Sequence, residues 1–169
     1  MATHRIPILG AATFPTDTAG NVFFEPYSIK ATNDVWKRLV CVFNDTATRI
    51  GLAGGLTVPK NYVGNAKIIV VWTSTATTGN CRWEFDYRTV GGDDTTSLDQ
   101  TGTEESVGVT DAAPGAAHRR LEAPMTLTAT NLSVDEEVEF ELFRDGADAA
   151  DTMAAAALVF AALFEYTDV

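Results

Sequence analysis

One stretch constrains the fold more than any other: residues 66–90, AKIIVVWTSTATTGNCRWEFDYRTV. From Cys81 onward, Cys81, Trp83, Phe85 and Tyr87 alternate with Arg82, Glu84, Asp86 and Arg88. Successive side chains of a strand point to opposite faces, so this segment has one aromatic face and one charged face. Residues 67–72, KIIVVW, form instead an unbroken and largely β-branched run, the pattern of a strand covered on both faces. Between them, Thr-rich residues 73–80 end in Gly79-Asn80 and turn the chain. The two segments read as a long hairpin whose first arm is central and whose second arm is half exposed.

Further strands follow from the same logic on either side. Residues 35–43 (VWKRLVCVF) form a core strand, and Gly-rich residues 49–58 form one that closes on Pro59. Residues 104–110 alternate, residues 119–128 are interrupted at Pro124, and residues 137–144 set Val138, Phe140 and Leu142 against Glu139, Glu141 and Phe143. The last segment, MAAAALVFAALFEY at 153–166, has helix propensity but also alternates. It is read as a strand, because everything upstream is β and this strand completes an even set. About eight strands without intervening helices predict an all-β jelly-roll sandwich over residues 35–169. Its expected core contains Trp83, Phe85, Val70, Ile68, Leu39 and Phe140. Residues 1–34 carry Pro7, Pro15 and Pro26 and are expected to form an extended N-terminal arm and edge strands. The arm's rings, Phe14, Phe23, Phe24 and Tyr27, must lie on this domain or on a neighbouring molecule, and they are the candidate partner-binding residues.

Composition narrows the partners. A net charge of −11 with scattered basic residues argues against nucleic acid. The Ala-rich C-terminal run is too short for a membrane span, and the N-terminus lacks the apolar run of a signal peptide, which predicts synthesis in a cytoplasm. Cys41 and Cys81 read as buried free thiols rather than a bridge or a metal pair.

No catalytic constellation emerges, and neither a cofactor nor a catalytic residue is assigned. His4 and His118 have no neighbouring nucleophile or metal-spaced partner and read as surface residues. Asp93, Asp94 and Asp99 in the loop at 91–103, and Asp145, Asp148 and Asp151, offer oxygens of the kind calcium takes, but without the EF-hand pattern; capping is the simpler reading. Glu84 and Asp86 share a strand face with Arg82 and Arg88, so cross-strand ion pairing explains them better than glycoside hydrolysis. Trp36, Trp72 and Trp83 would suit a sugar-stacking platform if exposed, but all three fall in expected core strands.

Residues 56–90, LTVPKNYVGNAKIIVVWTSTATTGNCRWEFDYRTV, and the closing FEYTDV at 164–169 resemble small jelly-roll structural proteins of tailed bacteriophages. The resemblance covers residues 35–169 as a pattern; the Ala-rich run at 153–163 departs from it. It implies a non-enzymatic virion protein, usually a homotrimer, that binds the major capsid protein or other virion subunits. A capsid decoration (cement) protein is the leading expectation. The alternatives are a small tail, baseplate or fibre component, or, in a different class, a carbohydrate-binding β-sandwich module.

Overall fold

The computed structural model describes residues 1–9, 14–15, 21–28, 37–90 and 105–168. These form β1 (Thr3–Pro7), β2 (Phe14–Pro15), β3 (Val22–Ser28), β4 (Lys37–Phe43), β5 (Arg49–Thr57), β6 (Gly64–Thr73), β7 (Asn80–Val90), β8 (Glu105–Ala112), β9 (Leu121–Thr126), β10 (Glu137–Asp145) and β11 (Ala157–Thr167). Among the described residues the helical content is a single 3-10 turn at Ala129–Asn131. All pairings are antiparallel. They give one sheet in the order β3-β4-β11-β6-β9, with β1 also on β11, and a five-stranded sheet in the order β2-β5-β10-β7-β8. Within β4–β11 each connection crosses to the opposite sheet except β7–β8, so the two sheets read 4-11-6-9 and 5-10-7-8. This is the jelly roll expected from the strand count.

One expected feature is corrected. β6 and β7 are not a hairpin: β6 lies between β11 and β9, and β7 lies between β10 and β8 in the other sheet. Period-two patterning reports which face is buried, and two strands facing each other across a core bury theirs as well as two paired strands do. Residues 74–79 carry the chain across, and Ser74 Oγ donates to the Ala156 carbonyl at 2.9 Å on the way. The exposures inferred from the sequence still hold. β7 alternates buried and half-buried residues along most of its length, and β6 from Ile68 to Thr73 is buried on both faces.

Between the sheets lie Ile68, Val70, Trp72, Trp83, Phe85 and Phe140, all buried in one cluster. Leu39, expected among them, is 64% exposed. β4 pairs with β11 only through Cys41 to Phe43, so Lys37 to Leu39 overhang the core and pair with β3 alone. The C-terminal segment is a strand despite its alanines. β11 has β6 on one edge and β4, then β1, on the other, and this pairing overrides local helix propensity.

The described parts of residues 1–34 are strands of the sandwich. β1 pairs from Thr3↔Thr167 to Pro7↔Leu163, β3 pairs along β4, and β2 pairs with β5 in the opposite sheet. Each occupies a sheet edge, where the missing proline N–H costs no ladder bond.

Candidate functional site

The outer face of the five-stranded sheet is built by register. On β10 the residues opposite its core face are Glu137, Glu139, Glu141, Phe143 and Asp145. They stand opposite Thr57, Gly55, Ala53, Gly51 and Arg49 of β5. On the other side of β10, Glu139, Glu141 and Phe143 face Arg88, Asp86 and Glu84 of β7. Between Arg49 and Thr57, β5 therefore contributes almost no side-chain volume, whereas β10 and β7 contribute a row of carboxylates. The result is a groove of about 490 Å³ floored by Ala53, Gly54 and Gly55 and walled by Asp86, Arg88, Glu137, Glu139 and Glu141. A smaller hollow continues past Asp86 toward Glu84, Glu105 and Ser106.

Two arginines organise these acids. Arg88 Nε donates to Glu139 Oε2 at 2.6 Å. Arg49 lies 2.6 Å from Asp86 Oδ2 through Nη2 and 3.1 Å from Glu84 Oε2 through Nε, and its guanidinium sits 3.6 Å from the centre of the Phe143 ring. The second oxygen of Asp86, Oδ1, is buried and receives no hydrogen bond. The Phe143 ring lies against the sheet because residue 51 is glycine: a Cβ there would collide with the ring. The cross-strand ion pairing expected for this face is present in these Arg88 and Arg49 pairs. Arg82 pairs instead within its own strand, Nη2 3.2 Å from Glu84 Oε1, and with the loop after β10, Nε 3.5 Å from Asp148 Oδ2.

The candidate calcium oxygens are otherwise engaged. Asp145 Oδ1 accepts the Ala147 N–H at 3.0 Å and Asp148 Oδ1 accepts the Ala150 N–H at 2.8 Å, so both cap their own turns. Asp151 points inward to Arg144, a buried residue that no reading of the sequence singled out. Arg144 donates to Asp151 at 2.8 and 2.9 Å, to the carbonyls of Met153 and Ala155 at 2.6 and 2.7 Å, and to Asp45 at 3.3 Å. Burial is the largest single influence and opposes its charge, but the hydrogen bonds to Asp151 together with the neighbouring charges, among them Asp151 and Asp45, outweigh it and hold the guanidinium above its ordinary range. Glu84, Asp145 and Asp148 do converge, with Arg82 already between Glu84 and Asp148. Asp93, Asp94 and Asp99 lie outside the described residues.

The other candidates disperse. Trp72 and Trp83 are fully buried, and Trp36 lies outside the described residues, so the described tryptophans form no platform. His4 sits 2.7 Å from Asp168 Oδ2 and stacks on Tyr166 at 5.1 Å; His118 lies 5.9 Å from the Tyr27 ring. Phe24 packs against the main core, while Phe23 and Tyr27 are half buried on the opposite sheet's outer face against Val40, Val42 and Leu158. The side chain of Phe14 lies outside the described residues. The described arm rings thus lie on two different faces of their sheet.

Cys41 and Cys81 are free and buried. Burial pushes the Cys41 thiol up to about 12 and the Cys81 thiol well above its ordinary value. The native protein is therefore expected to release no thiol to Ellman's reagent at pH 8, and two per chain once denatured. A fast-reacting thiol in the native state would contradict this placement.

No protein-family model matches the sequence, and no curated protein is significantly similar to it. Solved structures do share the fold. The family 35 carbohydrate-binding module of Cellvibrio japonicus Abf62 superposes with a TM-score of 0.54 at 9% identity, over 99% of this chain and 95% of that one. A family 35 carbohydrate-binding module from Clostridium thermocellum gives 0.54 at 13% identity, over 97% and 98%. An exo-β-agarase gives 0.55 at 10% identity, over 98% of this chain but 25% of the enzyme. The chain thus spans about a quarter of the glycoside hydrolases it matches and nearly all of the binding modules. The fold is the β-sandwich of these domains; a virion role finds no support among these neighbours.

Proposed function

We propose that this chain is a non-catalytic carbohydrate-binding β-sandwich that takes a neutral polysaccharide along the outer face of its five-stranded sheet. The observation that carries the reading is the groove: a floor almost without side chains beside a row of carboxylate acceptors, of which Asp86 and Glu139 are held in place by Arg49 and Arg88. Sugar hydroxyls are hydrogen-bond donors, and a volume of about 490 Å³ is in the range of small-molecule sites. The fold shared with carbohydrate-binding modules supports the same reading. Four carboxylates against one arginine in the walls disfavour uronate or sulfated chains. Binding rather than hydrolysis is supported by the state of the candidate acids. Glu84 and Asp86 are both tied to Arg49, and an ion-paired carboxylate is an acceptor rather than a proton donor.

Affinity electrophoresis through gels containing xylan, arabinan or agarose tests the proposal. At least one polymer is expected to retard the protein, and Glu137→Gln or Glu141→Gln is expected to weaken that retardation about tenfold, the loss typical of one hydrogen bond to a charged group. Unchanged melting temperatures confirm that the variants are folded. Equal mobility in every gel, with or without polymer, would overturn it.

A further inference from the structure

We infer that Phe143 is a stacking surface for a neutral sugar ring and that the Arg49 guanidinium is a displaceable cover over it. The inference rests on the proposed carbohydrate reading of this face and adds the residue pair that gates it. On β5, β7 and β10, Phe143 is the one aromatic side chain that the register places on the outer face of the five-stranded sheet. The ring packs against Gly51, and a planar cation, the Arg49 guanidinium, lies 3.6 Å from its centre, which leaves Phe143 only 7% exposed. A sugar ring presents a face of polarised C–H groups of comparable flatness and can take the same place. The cover is held only by a cation–π contact and by ion pairs to Glu84 and Asp86 at side chains that water reaches, and such pairs are weak and screened by salt. Its departure would uncover the ring and release two carboxylates beside it as acceptors for the sugar's hydroxyls. An aromatic that merely needed shielding would not require a partner whose removal assembles a binding site.

The test uses the full chain and whichever of xylan, arabinan or agarose retards the wild type or the Arg49→Ala variant. If the cover is open about a tenth of the time, Arg49→Ala should tighten binding on the order of tenfold, because the closed fraction no longer reduces the apparent affinity. Phe143→Leu, which keeps the apolar volume but removes the ring, should weaken binding, and the double variant should lose the gain. Raising the salt should tighten wild-type binding and leave Arg49→Ala unchanged, a response that a purely structural arginine would not produce. If Arg49→Ala binds no better than wild type while Glu141→Gln still weakens binding, the cover is refuted and the groove stands. If neither wild type nor Arg49→Ala binds any of the three polymers, both readings fail.

Discussion

Arg144→Ala is expected to cost about 3–5 kcal/mol of stability, the range for breaking a buried ion pair by removing one partner. The guanidinium is fully buried and is the hub of the loop between β10 and β11, where it meets Asp151 twice and the carbonyls of Met153 and Ala155. Asp151 Oδ2 also accepts the Arg82 N–H at 3.0 Å, so the same carboxylate fastens β7 to this loop. Removing the arginine leaves a buried carboxylate and two carbonyls without their donor, and the penalty is that of stranded polar groups rather than of lost packing. Urea unfolding of Arg144→Met, Asp151→Leu and the double variant separates these terms. The double variant should lose clearly less than the two single losses combined, since neither charge is then left alone. A loss below about 1 kcal/mol for Arg144→Ala, against that range, would mean that the pair is not closed to water.

Trp83→Ala is expected to cost a similar amount, about 3–5 kcal/mol, as for other fully buried large aromatics. The indole has no exposure and meets Phe43 edge-on at 5.3 Å and Trp72 at 5.7 Å, joining the two sheets. Its Nε1 has no hydrogen-bond partner, so Trp83→Phe removes an orphan donor as well as volume and should cost much less than alanine. Denaturant midpoints of the two variants check both statements. A loss of under about 1 kcal/mol for alanine, well short of that range, would place the strand's aromatic face in solvent and invert its register.

What the sequence reveals and what it hides follow from the range of each signal. Alternation over Cys81 to Tyr87 shows directly which face is buried, and that inference survives in full. The same alternation is silent about which strand lies alongside, and so the switch of sheet between β6 and β7 was not legible. Leu39 has the right parity for the core, but parity does not say where a neighbouring strand ends. Arg144 continues the inward series Val138, Phe140 and Leu142, so its burial was readable from spacing alone, although an arginine is rarely expected there. The groove depends on β5 and β10 being neighbours, which only the fold supplies. The glycine-rich character of β5 was visible, while the ring that approaches Gly51 was not.

The central claim, that a polysaccharide lies along the outer face of the five-stranded sheet, is tested most directly by amide chemical-shift mapping with an oligosaccharide of the polymer that retards the protein. Perturbations should concentrate at Ala53 to Gly55, Asp86 to Arg88 and Glu137 to Phe143, and leave Phe23, Tyr27, Val42 and Leu158 on the opposite sheet unchanged. Shifts confined to the six-stranded sheet, or to the connections between strands, would contradict it.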